Sequence, residues 1–226
     1  MQELEILKET FSKEENQLIS IPLLISAVCG DKGAAFDIAR TLIETPFLLK
    51  DKILWTKIEK FMRGTFLCDE DRSKFDELIT MGDKKEDNAL RILNYIDKAE
   101  NMEKVQYIIN ATRALILNYV DRETFFRVCS YLTDSLMEDL YYLKENIESK
   151  DLPYSLSVQS LFSLGLMYQS KIDPEGNTLY SFTSAAVLVD EYSLSFSDEG
   201  RYPDKTKPLE IVAPKSEIKS YAVFGQ

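Results

Sequence analysis

Thirty-eight aspartates and glutamates, three widely spaced cysteines and no histidine set the chemistry open to this chain of 226 residues. Without histidine there is no Ser-His-Asp or Cys-His nucleophile, no imidazole metal ligand and no proton switch near neutral pH. Cys29, Cys68 and Cys129 form no C-x-x-C pair, so neither a zinc knuckle nor a thioredoxin-like dithiol is expected. Paired carboxylates could hydrolyse a glycosidic bond or act as general acid and base. No spacing in the sequence singles out such a pair, so no catalytic residue is assigned. "GDKG" at 30–33 is not a phosphate loop, and neither G-x-x-x-x-G-K-[ST] nor G-x-G-x-x-G nor a G-x-S-x-G elbow occurs. The expectation is a non-enzyme without metal or cofactor.

What remains is recognition. From Leu152 to Ser170 the chain carries no charged residue, while it bears aromatic and amide side chains. Tyr154, Gln159, Phe162, Tyr168, Lys171 and Glu175, in and just beyond that stretch, are the candidate partner-binding residues.

The formal charge of −11 argues about partners as well. An acidic surface repels nucleic acid and anionic membranes and favours basic protein surfaces. A contiguous acidic face would instead allow mimicry of nucleic acid, as an anti-restriction or anti-defence protein uses it. The apolar stretch "LISIPLLISAVCG", 18–30, is too short to span a bilayer and reads as core. An odd cysteine count and an acidic start, unlike a signal peptide, point to the cytoplasm.

The elements that must carry these residues are mostly helical. Eight glycines and seven prolines are few for this length, and 45% of the residues are apolar. Leu4, Leu7 and Phe11 have helical spacing, and Pro22 suits a helix start. A helix resumes near Ala34 with Phe36, Ala39, Leu42 and Ile43 inward, and Pro46 ends or kinks it. Ile53, Leu54, Ile58, Phe61 and Met62 define the next, with Lys50, Lys52, Lys57 and Lys60 outside. The acidic clusters Asp69-Glu70-Asp71 and Glu86-Asp87 each precede an apolar run and serve as caps or surface at helix starts. Leu90, Leu93 and Ile96 mark one helix, and Val105 to Tyr119 another, with Asn101 as its N-cap. Asp121 caps the longest, where Phe125, Cys129, Leu132, Leu136, Leu140, Leu143 and Ile147 form one apolar stripe.

The character changes near Pro153. "GLMYQSKI" and "NTLYSFT" flank "DPEG", a turn with Pro at its second and Gly at its fourth position, and read as a hairpin. "SAAVLVDEYSLSF", 184–196, reads as a short helix capped by Thr183 or Ser184. Residues 156–189 resemble the end of a winged-helix domain. The pattern of a short helix ending in L-x-x-L-G-L-[I/M], a wing, Y-x-[L/F]-T and a last helix is met by Leu161, Leu164, Gly165, Leu166, Met167, Tyr180, Phe182 and Thr183. A full winged helix has two more short helices before this one, whereas a single long helix is expected here. The resemblance therefore fits a truncated or modified wing domain as well as a standard one. The chain also loosely resembles helical proteins encoded by bacteria and phages, which implies such an origin and, on that likeness alone, a place in phage–host conflict.

The expected fold is mainly α: a multi-helix bundle over 1–150, a winged-helix-like α+β unit over 151–197, and an extended tail over 198–226. Tyr221 and Phe224 would dock that tail on the body. The resemblance also implies a transcription regulator, but the charges oppose it. "SLSVQSLFSL" offers no cation to phosphate, and the wing tip is acidic. Between Lys144 and Phe196 seven carboxylates face three ammonium groups, a balance of −4. Another protein is therefore the expected partner, with nucleic acid and membrane disfavoured and a homodimer left open.

Overall fold

Capping chemistry and apolar periodicity break the chain into helices joined by short connections. The computed structural model describes residues 21–44, 49–80 and 85–198. Within them run α1 (Ile21–Val28), α2 (Lys32–Glu44), α3 (Leu49–Thr65), α4 (Asp69–Thr80), α5 (Lys85–Lys98), α6 (Met102–Ile116), α7 (Arg122–Asp134) and α8 (Met137–Asn146). A second region follows: α9 (Leu156–Ser163), strands β1 (Met167–Ile172) and β2 (Thr178–Phe182), α10 (Ser184–Val189) and a π-helical turn (Asp190–Leu194). The protein is mainly α, a helical bundle followed by a small two-stranded antiparallel unit.

α6 is the axis of the bundle. From Lys104 on it is buried nearly all round, as a helix enclosed by others must be, and it packs on α3, α4, α7 and the π-turn. Its start is set by Asn101, whose side chain accepts the Lys104 amide at 2.9 Å. Asp121 does the same for α7, accepting from Thr124 N at 2.7 Å. Each such cap contributes about 1 kcal/mol by giving an otherwise unpaired amide a partner. Ile58, Phe61 and Met62 of α3 and Leu90, Leu93 and Ile96 of α5 are buried against α6 and its neighbours, as their spacing requires. Fully burying one such side chain contributes roughly 1.5–3 kcal/mol.

α3 and α6 approach closely at Gly64. A β-carbon there would lie 2.8 Å from Ile109 Cδ1 and 2.9 Å from its Cγ2. Gly64→Ala should therefore destabilise the protein. Overpacking costs roughly 1–3 kcal/mol, which outweighs the gain of up to about 1 kcal/mol in helix propensity. A lower urea midpoint is the expected result, and an unchanged one would mean that Ile109 moves aside freely.

Several local expectations need correction. The long helix expected after Asp121 is two helices. Ser135 and Leu136 are extended, at φ/ψ of −90/149° and −73/157°, and Leu136 is 57% exposed instead of lining the apolar stripe. The break is held by a tertiary contact: the fully buried Lys104 ammonium donates to the Ser135 carbonyl at 2.6 Å and pairs with Glu100 at 3.1 Å. Lys57 is likewise buried, not outside, because its ammonium donates to the Asp97 carbonyl at 2.7 Å across to α5. Burial lowers its affinity for a proton, partly offset by Asp97. Ile53 is exposed where an inward position was expected, and Phe36 is half-buried while Ala34, Ala35 and Ile38 face the core.

Asp71 is neither surface nor a simple cap. It is buried, accepts the amides of Leu67 and Cys68 at 2.9 and 3.3 Å, and pairs with the buried Arg113 at 2.6 Å. The helix expected over 184–196 is α10 followed by the π-turn. Leu4, Leu7, Phe11, Pro46, Tyr221 and Phe224, and the side chains of Ala39, Leu42, Ile43, Lys50 and Lys52, lie outside the described residues.

Candidate interaction surface

The uncharged stretch folds as α9 and its exit into β1. Ser155 caps α9, accepting from Val158 N at 3.2 Å. The helix ends where Gly165 takes φ +76°, a left-handed value that a side chain would resist. Leu166 N then bonds Leu161 O at 2.9 Å and Gly165 N bonds Phe162 O at 3.0 Å. That pair of bonds is a Schellman stop, sealed by the buried Leu161 and Leu166. α9 docks on α8 through Ser160, whose hydroxyl donates to the buried Asp139 at 2.6 Å.

The hairpin pairs Met167 with Phe182 and Ile172 with Thr178, with a bulge between Gln169 and Lys171. Its turn follows from Asp173-Pro174-Glu175-Gly176. Gly176 N bonds Asp173 O at 3.0 Å, Gly176 sits at φ +89°, and the Asp173 carboxylate takes both the amide and the side-chain NH2 of Asn177. This is a type I turn with Pro at its second position, completed by a left-handed glycine. Thr183 closes the unit. Its hydroxyl donates to Gly165 O at 3.1 Å and caps α10 at Ala186 N, 3.4 Å away.

A third position joins the sheet. Leu152 pairs antiparallel with Tyr180 through two backbone bonds of 2.8 and 2.9 Å, giving the order Leu152, β2, β1. Just before it Asp151 stands at φ +56°. Its amide donates to Ser181 Oγ at 3.3 Å, and its carboxylate accepts from Ser170 at 2.9 Å and pairs with Lys171 at 2.7 Å. Lys171 first, then Ser170, hold the Asp151 carboxyl below the usual carboxylate range.

All six candidate binding residues are exposed. Tyr154 and Gln159 are brought together, the tyrosine hydroxyl donating to Gln159 Oε1 at 2.6 Å. Phe162 stands edge-on to Tyr180 with ring centroids 5.6 Å apart. Lys171 is engaged by Asp151, and Glu175 occupies the turn. No hydrogen bond or ring contact joins Phe162, Tyr168, Lys171 and Glu175 to one another among the described residues. Sequence reasoning missed Leu156, which is 80% exposed in the first turn of α9, and also Ile172, Val187 and Leu188. An apolar residue directly after a serine cap, on a helix face otherwise set by Val158 and Leu161, was the available signal.

Among the described residues no helix is long and apolar enough to cross a membrane, and no cluster of acidic and thiol side chains could hold a metal ion. Comparison with protein-family models, with curated proteins and with solved structures gives no match.

Proposed function

We propose that this chain is a non-catalytic binding protein that engages another protein through α9 and the hairpin. The observation that carries this reading is where apolar surface remains. Of the eleven exposed large apolar side chains among the described residues, seven lie between Leu152 and Asp190. Exposed apolar groups gathered in one small unit mark a partner surface more often than chance decoration. Tyr154, Phe162 and Tyr168 supply aromatic anchors of the kind that dominate interface energetics. The reading places the protein in a bacterial or phage cytoplasm, and the loose family likeness adds a role in phage–host conflict.

The test is capture from the native cell on wild-type chain and on a Phe162→Ser/Tyr168→Ser variant. Loss of a hot-spot aromatic costs about 2 kcal/mol or more, roughly a thirtyfold weakening. A specific partner that the wild type retains and the variant loses is the expected result. Equal retention by both would refute the assigned surface.

Element order favours a second reading, a winged-helix transcription regulator. Three helices precede the hairpin, α7 to α9, and the sheet order runs Leu152, β2, β1. Charge argues against it, since the hairpin's lysine is engaged by Asp151 and its turn is acidic. A gel shift with genomic DNA at low salt separates the two. Strong binding that falls steeply with salt would support the regulator.

A further inference from the structure

β2 lies between Leu152 and β1, which leaves β1 as an edge of the small sheet. The ladder fixes which main-chain groups of β1 face outward. Asp173 N bonds Asn177 O at 2.9 Å, a bond that flanks the pair Ile172–Thr178, so Ile172 turns its own N–H and C=O away from β2. Tyr180 directs both of its main-chain groups to Leu152, at 2.8 and 2.9 Å, so its partner Gln169 also points away from β2. Among the described residues nothing outside β2 bonds the main chain of Gln169 or Ile172. We propose that this edge takes up an extended segment of another protein as a further strand. The segment carries β-branched or aromatic residues together with lysine or arginine. The proposal rests on the binding role assigned above to α9 and the hairpin, and it names how the partner is held.

Open edges are commonly guarded by a lysine or a bulge. β1 has both, but its lysine is turned aside. At the bulge, Ser170 and Lys171 both reach the Asp151 carboxylate, at 2.9 and 2.7 Å. Asp151 directly precedes Leu152, on the far side of β2, so the Lys171 ammonium is drawn across the sheet and away from the edge. The edge presents apolar surface instead. Tyr168, 50% exposed, shares its face with its pair Ser181, whose hydroxyl accepts the Asp151 amide. Ile172, 70% exposed, follows Lys171 and so lies on the opposite face. An added strand would meet one of these side chains on each face. In strand addition the main-chain bonds supply affinity and such alternate side chains supply specificity.

Charge selects the kind of segment. Between Glu148 and Val189 four carboxylates stand against two ammonium groups, a balance of −2. Both ammonium groups act at Asp151, Lys171 by pairing with it and Lys150 through its nearby charge. The turn carries two carboxylates, Asp173 and Glu175, and the amide groups of Asn177 that hold Asp173 bring no charge. A cation on the segment where it passes the turn is attracted, and an acidic segment is repelled. A second copy of this chain, with a net charge of −11, is disfavoured on the same ground.

The test is selection of a displayed library of random peptides, about eight residues long, on the full chain, followed by titration of the recovered peptides as synthetic compounds. Peptides rich in β-branched or aromatic residues with lysine or arginine should be recovered, and their binding should slow hydrogen exchange at the Gln169 and Ile172 amides. Gln169→Pro removes an outward donor and leaves the bonds between β1 and β2 in place. With an unchanged circular dichroism spectrum it should weaken the peptides by about tenfold or more. A second measurement serves if that variant misfolds. Of two versions of one peptide, N-methylated on alternate residues in opposite phase, one should bind and the other should not. The proposal is overturned if no peptide is recovered, if the recovered peptides are acidic, if both methylated versions bind alike, or if the two amides exchange at an unchanged rate. Protection of these amides in the free chain also overturns it. Independent of concentration, it assigns the edge to the chain's own residues beyond Asp198, and rising with concentration, to a second copy. A native partner kept by Gln169→Pro but lost by the Phe162→Ser/Tyr168→Ser variant would remove the added strand and leave the binding surface standing.

Discussion

Replacing Arg113 with methionine is expected to lower the unfolding free energy by about 3–5 kcal/mol. Arg113 joins three parts of the chain. Its NH1 donates to the Thr65 carbonyl at the end of α3 at 2.9 Å and to Asp71 in α4 at 2.6 Å, and its Nε meets Asp198 at 2.8 Å. Arg113 and Asp71 are both buried. The methionine would fill most of the volume, so the loss is electrostatic. A buried carboxylate keeps two backbone amides but loses its cation, and an uncompensated buried charge is what makes breaking such pairs costly. Asp71→Asn should cost less, because the amide oxygen still accepts from Leu67 and Cys68. The double variant should cost clearly less than the sum of the two, since each change removes the same pair. Asp198 is partly exposed, and Asp198→Asn should have a small effect. Urea unfolding followed by circular dichroism gives all four values. A cost for Arg113→Met below about 1 kcal/mol would mean that water enters to solvate Asp71.

The second large effect is expected at Phe66. Its ring stands edge-on to Phe61 and Phe75, with centroids 6.3 and 5.4 Å apart, and Arg72 lies over it at 6.0 Å. All three rings are essentially inaccessible to water. Phe66→Ala removes the central ring and leaves a cavity that two rigid neighbours cannot close, at a cost of about 3–5 kcal/mol. For a domain of this size the thermal midpoint should fall by on the order of 10 °C. Phe66→Leu should recover more than half of the loss. Scanning calorimetry of the two variants checks both numbers, and equal midpoints for alanine and leucine would show that the cluster collapses around the gap.

Local signals were legible and distant ones were not. Asn101, Asp121 and Thr183 cap helices because a short polar side chain before an apolar run meets an amide within its own turn. The hairpin follows from Asp173-Pro174-Glu175-Gly176, where φ preferences leave few alternatives. The split between α7 and α8 was hidden because its apolar stripe continues in phase across Ser135 and Leu136. Thr133-Asp134-Ser135 hinted at a stop, but the contact that holds it comes from Lys104, 31 residues earlier. Arg113 was equally unreadable. Its partners lie 42 and 85 positions away, and nothing local marks an arginine on an apolar helix as buried. At the candidate surface, exposure of Tyr154, Phe162 and Tyr168 followed from the uncharged stretch, whereas Leu156 and Ile172 required knowing which faces the packing leaves uncovered.

The chain that leaves α10 returns over α6. Asn110 bonds the Ser193 carbonyl at 2.7 Å across 83 positions, and Arg113 meets Asp198 across 85. Tyr119 meets Phe196 with ring centroids 5.9 Å apart, and Lys144 bonds the Leu194 carbonyl at 2.9 Å. Contacts of such sequence separation raise the contact order, and the ordering cost of the intervening chain comes before their reward. The return strap should therefore close after α6 to α8 are in place, as a late event in folding. A force applied at the hairpin would be borne by this strap and by the Leu152–Tyr180 bridge, and would so reach the central helix of the bundle.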